Sequence, residues 1–152
     1  MDHAPIEPAY AYRFDYKDRS AVVTGDLKNH PPLVKAAAGA DLLLSEAISR
    51  SMTATLERAS SKAGRASTAA IMHDIQDYHI SPEEAAKIAN RSDVKLLAFY
   101  HLLPAPDGFV MRRLFAQGVD AARNGDWTIA DDGSLYTLPV GSDRIAQGEI
   151  EQ

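Results

Sequence analysis

Hydrophobic and polar positions along the chain fall into short β-prone runs and longer stretches of helical period. Residues 10–16 (YAYRFDY) and 20–24 (SAVVT) flank a polar turn at 17–19, which predicts a β-hairpin. Two continuous apolar runs follow, at 41–45 (DLLLS) and 95–100 (KLLAFY). Runs of this kind are typical of parallel strands buried on both faces. The four runs together predict most of one mixed sheet.

Helices are predicted between and after these strands. The sequence Ser81-Pro82-Glu83-Glu84 is a capping box, with serine as N-cap, proline at N1 and glutamate at N3, and it predicts a helix over PEEAAKIANR. Apolar residues at steps of three and four indicate the other helices. They are a short helix at 32–38 ending at Gly39, a long one at 47–77 that Gly64 kinks or divides, and one at 109–123.

The C-terminal part of the chain combines a strand-like run, a glycine-containing turn and a second strand-like run. Residues 127–139 (WTIADDGSLYTLP) therefore predict a second β-hairpin. Strands that alternate with helices after an initial hairpin indicate the α/β class.

Composition and charge narrow the possible chemistry. The net charge of −5 and the pI near 5.5 argue against a bulk electrostatic attraction to nucleic acid. The sequence has no cysteine, so a metal would be held by histidine, aspartate or glutamate. The apolar runs are too short to span a membrane, and the first residues have no features of a signal peptide, which favours a cytoplasmic location and no membrane partner.

Four polar residues stand at the ends of the predicted elements. In α/β folds, sites form beyond the carboxyl ends of strands, where the loops converge. Each residue taken alone is more often a structural histidine or a turn aspartate than a ligand. The four are His3 before the first strand, Asp26 after the second, His79 before the capped helix and His101 after the KLLAFY strand.

Three segments resemble one known family, in order and at suitable distances. They are MDHAPIEPAYAYRFDY, VVTGDLKNHPPLVKAAAGADLLLSEA and DYHISPEEAAKIANRSDVKLLAFYHLLP. They are similar to the C-terminal half of the metallo-β-lactamase superfamily, in its ribonuclease Z and arylsulfatase-like branch, from His3 to about Pro104. The resemblance implies half of an αββα sandwich, with one mixed β-sheet and helices packed on one face.

The same resemblance implies a division of residues 1–152. The core would span residues 1–104, and a C-terminal helix and hairpin would span 108–140, followed by a tail at 141–152. The inner face of the sheet would be strongly apolar. We therefore expect the chain to form a homo-oligomer or to pair with a missing N-terminal half.

Roles for individual residues also come from the resemblance. His3, Asp26 and His101 would be metal ligands, with Asp26 bridging two metals. His79 would give a proton to the leaving group, a task that suits imidazole because it titrates near neutral pH. Glu46 would orient His79, although an acid at a helix start, favoured by the helix dipole, is an alternative interpretation. The expected cofactors are two divalent metal ions, zinc first, with iron or manganese as alternatives.

The function implied is that of a metal-dependent hydrolase with a hydroxide activated by two metals. The substrate would be a small ester: a phosphodiester, sulfate ester, lactone or thioester. Transfer RNA is disfavoured by the acidic charge and by the 23-residue interval between His3 and Asp26, which leaves no room for a long RNA-binding arm there. We therefore expect a small-molecule partner and no nucleic acid.

The sequence departs from the family pattern in ways that leave an alternative open. Leu27 replaces the usual threonine after Gly-Asp, and Ser45 replaces a frequent histidine before Glu46. The sequence contains no H-x-H-x-D-H motif, which in the family supplies many of the metal ligands. The alternative is a catalytically inert fragment or an interaction subunit that lacks that half of the site.

Overall fold

A computed structural model describes residues 1–150 as a five-stranded mixed sheet, a separate pair of strands and six α-helices. The sequence of elements alternates strands and helices after an initial hairpin, as the hydrophobic pattern predicts. The strands are β1 (Ala11–Tyr16), β2 (Arg19–Thr24), β3 (Leu42–Ile48), β4 (Leu96–Leu103), β5 (Asp126–Ile129), β6 (Ser134–Thr137) and β7 (Ala146–Glu149). The helices are α1 (Pro31–Ala36), α2 (Arg50–Lys62), α3 (Ala66–Asp74), α4 (Pro82–Arg91), α5 (Gly108–Phe115) and α6 (Val119–Ala122).

The large sheet has the strand order β1-β2-β3-β4-β5. β1 and β2 are antiparallel and joined by a tight turn in which Lys17 has φ 54°. The pairs β2–β3, β3–β4 and β4–β5 are parallel. The predicted hairpin and the predicted buried strands are confirmed. Parallel pairing explains why β3 and β4 are apolar on both faces, since each side of the sheet is covered.

One face of the sheet packs against helices and forms the main core. Strand residues on this face include Val22, Leu43, Leu97 and Phe99, all fully buried. The amphipathic helices bury their apolar sides against them. The helix residues in this core include Leu33 of α1, Ala85, Ala86, Ile88 and Ala89 of α4, Phe115 of α5 and Val119 of α6.

The opposite face of the sheet is covered by the C-terminal segment. A second, smaller cluster lies there, built on residues of β3 and β4 whose side chains alternate with those of the main core. The cluster contains the buried Leu42, Leu96 and Ala98, against which Tyr136, Leu138 and Ile145 pack. The mixed sheet with helices on one face confirms the predicted fold class.

The β1 edge of that second face carries an exposed aromatic row. Tyr12, Phe14 and Tyr16 are 59%, 60% and 66% exposed and alternate along β1. Arg13 points to the other face, where its guanidinium donates to the carbonyl oxygens of Ala36 and Ala38, both at 2.9 Å. The coverage by the C-terminal segment therefore does not extend to the β1 edge.

Two of the predicted helices are divided. Gly64 has φ 70° and separates α2 from α3, after which a short 3-10 turn covers Ile75–Asp77. Gly118 has φ 89° and separates α5 from α6. Glycine adopts this left-handed conformation without the steric cost that a Cβ would add. The capping box is confirmed, because the Ser81 hydroxyl accepts from the Glu84 amide and the Glu84 carboxylate accepts from the Ser81 amide.

The predicted C-terminal hairpin is wrong. β5 pairs in parallel with β4, and β6 pairs instead with β7. Without β5, the edge of β4 would be left without hydrogen-bond partners, and β5 supplies them. The Trp127 ring of β5 also packs against that of Phe99 in β4, with 6.0 Å between the ring centroids. Of the predicted tail at 141–152, residues 146–149 form β7, and the last two residues lie outside the described part.

Within residues 1–150, no helix combines the length and the apolar character needed to cross a membrane.

Candidate metal centre

Polar side chains from the N-terminal segment, the β2 end and the segment before α4 converge at one edge of the sheet. One ligand atom each from His3, Asp26 and His79 lies within 4.8 Å of the others. The two imidazoles are buried and their ring centroids are 5.0 Å apart. Three positions far apart in sequence thus form one compact group of two nitrogens and a carboxylate oxygen.

Asp26 is placed by the chain reversal at the end of β2. The amide of Gly25 donates to the carbonyl oxygen of Tyr10 at 2.9 Å, which ties this reversal to the residue before β1. A Cβ at position 25 would lie 2.8 Å from the same oxygen. Position 25 therefore requires glycine because the two backbones approach too closely for a side chain.

His3 is held in a defined tautomer. Its Nδ1 lies 2.7 Å from the carbonyl oxygen of Tyr78. A carbonyl oxygen only accepts, so Nδ1 carries the hydrogen and Nε2 is left with a free lone pair. The amide of Lys28 donates to the carbonyl oxygen of Asp2 at 2.8 Å and fixes the N-terminal segment beside the Asp26 loop. Backbone contacts on both sides thus orient the imidazole as metal-binding histidines require.

Glu46 lies inside β3 and is fully buried behind His79. Its Oε1 accepts from the amides of Leu27 and Ile80, each at 3.2 Å, and lies 3.1 Å from Nδ1 of His79. The two side chains are at ion-pair distance, although the ring N–H is not aimed well enough for a hydrogen bond. The interpretation of Glu46 as a helix-start acid is wrong, because α2 begins only at Arg50.

His101 occupies a β-bulge in β4. The β3–β4 register shifts by one residue between the Ser45–Phe99 and Ala47–Leu102 pairs, and His101 has φ 45°. Bulges re-aim side chains and recur beside active sites. Here Nδ1 of His101 lies 2.9 Å from Oδ1 of Asp26, and its side chain is 46% exposed. The bulge therefore turns His101 toward Asp26.

The structure brings all five sequence-predicted site residues together but groups them differently. The predicted metal ligands were His3, Asp26 and His101, with His79 as proton donor. The tightest group in the structure is His3, Asp26 and His79. His101 joins through Asp26, and its ring centroid is 6.3 Å from that of His79. The division of these residues into ligands and proton donor stays a prediction.

The donor set fits a divalent metal ion. Two imidazole nitrogens and a carboxylate oxygen suit zinc, iron or manganese. Fixed partners behind ligands are usual at such sites, and here the Tyr78 carbonyl backs His3 while Glu46 lies behind His79. Oε2 of Glu46 is buried and has no hydrogen-bond partner within residues 1–150. A buried carboxylate oxygen without a partner is unusual outside functional sites.

Tyr100 is a neighbour of the site that the sequence analysis missed. Its hydroxyl donates to the carbonyl oxygen of Thr24, whose own hydroxyl accepts from the Glu46 amide. Burial, together with the charges of Asp26 and Glu46, raises the pKa of Tyr100. The sequence feature that could have identified Tyr100 is its position next to His101, at the end of the predicted KLLAFY strand.

A cavity of about 330 Å³ opens beside this corner of the site. Val23 and Leu44 contribute apolar walls, while Tyr100 and His101 contribute polar groups. The cavity offers space for part of a ligand next to His101, whose Nδ1 contacts the carboxylate of Asp26.

Comparison with known proteins places the geometry in a family context. No protein-family model matches the chain. The chain is 35% identical over 104 residues to a ribonuclease Z of Mycobacterium avium (strain 104), covering 68% of this chain and 33% of that protein. It is 34% identical over 104 residues to a putative ribonuclease Z of Mycobacterium tuberculosis (strain CDC 1551 / Oshkosh), covering 42% of that protein. The chain spans about a third of the length of most of these curated relatives.

A solved structure supports the same fold. The metallo-beta-lactamase fold protein YhfI from Bacillus subtilis superposes with a TM-score of 0.57 and 19% identity, covering 91% of this chain and 44% of that one. The resemblance recognised in the sequence, to the metallo-β-lactamase fold and to ribonuclease Z, is confirmed.

The comparisons overturn the predicted partner. A small-molecule ester with no nucleic acid was expected, but the curated relatives are named as ribonucleases. The net charge of −5 was a poor guide, because a summed charge does not report where cations lie on the surface. The short interval between His3 and Asp26 excludes a long RNA-binding arm between these two residues, but it does not exclude RNA contacts made by other parts of the chain.

Proposed function

Because this chain has part of the metallo-β-lactamase fold and is related in sequence to ribonuclease Z, we propose that it contributes to metal-dependent hydrolysis of phosphodiester bonds in RNA. The observation that carries the proposal is the convergence of His3, Asp26 and His79 within 4.8 Å at one edge of the sheet. RNA as substrate is supported by the ribonuclease relatives, since RNA is itself a phosphodiester.

His3, Asp26 and His101 would hold the metal. A divalent cation there would polarise the phosphoryl oxygen and lower the pKa of a water molecule. The fixed tautomer of His3 supports its role, because Nε2 is free to bind. The carboxylate of Asp26 contacts His101, and one of its oxygens lies within 4.8 Å of ligand nitrogens of His3 and His79. The cofactor set of two metals, zinc first, is part of this proposal.

His79 would hold the proton for the leaving oxygen. Its Nδ1 faces Glu46, so Nε2 is the nitrogen left to reach a substrate. The buried carboxylate beside Nδ1 would orient the imidazole, so that Nε2 could give a proton to the leaving oxygen. Glu46 would thus act on the reaction only by positioning His79. The same geometry suits His79 as a third metal ligand, and the two roles differ in what metal affinity does when His79 is removed.

The test measures metal-dependent cleavage by the purified chain. The assay follows a short labelled RNA and, separately, bis(p-nitrophenyl) phosphate, with and without added zinc or manganese. We expect activity that chelation removes and that Asp26→Ala abolishes, with His73→Ala as the control because His73 is exposed and pairs with Glu57 on α2. Absence of cleavage together with absence of metal binding would contradict the proposal.

A second candidate function is an interaction subunit without turnover. It is favoured by one observation, the absence of an H-x-H-x-D-H motif from the sequence. RNA binding without metal-dependent cleavage in the same assay would support this candidate over the first.

A further inference from the structure

The α2–α3 pair forms a helical hairpin that projects from the body of the protein. Thr53 is the one buried residue of α2, and α3 has none. The hairpin begins shortly after Glu46 in β3 and returns to the chain just before His79. Since α2 has 13 residues, its far end lies about 20 Å along the helix axis from its start. Both ends of this projection are therefore anchored at the candidate metal centre.

The far end of the hairpin carries three cations, which we name the basic tip: Arg58, Lys62 and Arg65. All three are exposed. Arg58 and Lys62 are four residues apart and lie on one side of α2, and Arg65 follows in the turn. Arg58 donates to the hydroxyl of Thr55, but none of the three forms an ion pair within residues 1–150.

Two neighbouring charged residues of the hairpin, Arg50 and Glu57, have partners outside the basic tip. Arg50, at its base, forms an ion pair with Glu84 at 2.8 Å. Glu57 accepts from Gln76 at 3.1 Å and lies 3.3 Å from Nδ1 of His73. The acid closest in sequence to the basic tip thus has partners of its own in α3 and in the turn after it. Segment 50–65 has four basic residues and one acidic residue in a chain whose net charge is −5, and the acids of the returning segment, Asp74 and Asp77, come nine or more positions after Arg65.

We propose that the basic tip binds the phosphate backbone of the RNA whose cleavage is proposed above, and so rests on that proposed function. Exposed cations that form no ion pair with the protein can replace counterions on a phosphate chain. Guanidinium groups suit phosphate because they donate two parallel hydrogen bonds. A reach of about 20 Å spans several nucleotides of an RNA strand. The basic tip therefore contacts RNA several nucleotides away from the scissile bond.

The experiment compares two triple variants of the full chain. The first, Arg58→Ala/Lys62→Ala/Arg65→Ala, removes the basic tip. The matched control, Lys35→Ala/Lys87→Ala/Arg91→Ala, removes three exposed cations from α1 and α4. The probe is a fluorescein-labelled RNA stem-loop with a single-stranded 3′ tail, and its dissociation constant is measured by anisotropy at several salt concentrations. Circular dichroism checks that both variants fold.

We expect the basic-tip variant to bind the RNA at least about tenfold more weakly and to lower the slope of log K against log salt by two to three, about one for each lost phosphate contact. The control variant should keep most of the affinity. Equal losses in both variants, no loss in either, or no RNA binding by the parent chain would overturn the inference.

Hydrolysis of bis(p-nitrophenyl) phosphate separates this inference from the proposed function. That substrate is too small to reach the basic tip, so its metal-dependent turnover should be the same in parent and basic-tip variant. Retained turnover with unchanged RNA affinity would overturn the inference alone. A parent chain with neither turnover nor metal binding would contradict the proposed function, whatever the RNA affinity.

Discussion

Nδ1 of His79 lies 3.1 Å from Oε1 of Glu46, a carboxylate that is fully buried in β3. The same oxygen accepts hydrogen bonds from the amides of Leu27 and Ile80. One carboxylate thus connects the loop after Asp26 to the segment that carries His79. Its loss would affect the backbone on both sides of the site as well as the orientation of the imidazole.

Replacing Glu46 should separate its backbone contacts from its charge. Glu46→Ala leaves two buried amides without an acceptor, and we expect a loss of about 2–5 kcal/mol in the free energy of unfolding. Glu46→Gln keeps an acceptor oxygen and should lose only about 1–2 kcal/mol. Urea titration followed by circular dichroism measures both. Equal losses would show that the backbone contacts contribute little.

Metal binding should depend on the residues that converge at the sheet edge. A bound metal stabilises the folded state by mass action, so added zinc should raise the Tm of the parent chain. We expect this rise to disappear in His3→Ala and Asp26→Ala and to persist in His73→Ala. His79→Ala distinguishes its two roles: a retained rise indicates a proton donor, and a lost rise indicates a ligand. A rise in Tm that persists in Asp26→Ala would contradict the proposed centre.

Gly25→Ala should destabilise the loop that carries Asp26. The new Cβ would lie 2.8 Å from the carbonyl oxygen of Tyr10, and backbone atoms at that distance must move apart. We expect a loss of about 1–3 kcal/mol in thermal unfolding, together with weaker zinc binding. Gly148→Ala is the control, because a Cβ there meets no atom within 4 Å. Equal stability of the two variants would refute the steric argument.

Asp41 should make the protein sensitive to acid. Burial raises the pKa of Asp41, but hydrogen bonds from Lys95 and the Ser20 amide, with the charge of Arg19, outweigh it and hold the pKa below its usual value. A depressed pKa stabilises the fold above the unfolded-state pKa, about 3.9, and that stabilisation is lost as the pH falls through the folded-state value.

We therefore expect the free energy of unfolding of the parent to fall as the pH drops below about 5 and to continue falling below the unfolded-state pKa. Asp41→Asn should be less stable at pH 7 and should lose less on acidification, whereas exposed Asp132→Asn should behave like the parent. Denaturant titrations at a series of pH values measure these slopes. Parallel curves for parent and Asp41→Asn would argue against this role.

The sequence pattern predicted correctly those secondary-structure elements that depend only on neighbouring residues. The β1–β2 hairpin, the apolar strands β3 and β4 and the capping box at Ser81 all follow from the residues within each segment. The pairing of β5 does not follow from its own residues. Residues 126–129 pair with β4, which lies about 30 residues earlier in the chain, because β4 has an unpaired edge there. A strand-like run followed by a turn indicates a hairpin equally well, which is why the C-terminal hairpin was predicted wrongly.

The site shows the same limit. The family resemblance identified His3, Asp26, Glu46, His79 and His101, and the structure brings them together. Their grouping depends on features that no local pattern encodes. One is the bulge that turns His101 toward Asp26, which is visible only when β3 and β4 are paired. Another is the backbone contact that fixes the tautomer of His3.

The parallel pairing of β2, β3 and β4 also has a consequence for how the protein folds. Parallel strands need crossover connections, so each such pairing closes a long loop of the chain. The entropy lost in closing the loop must be spent before the contacts between the strands can form. Because Asp26 follows β2 while Glu46 and His101 lie in the C-terminal halves of β3 and β4, their side chains meet only after both crossovers have closed. High contact order of this kind slows folding, so metal-binding competence should appear late, with the final cooperative phase of refolding.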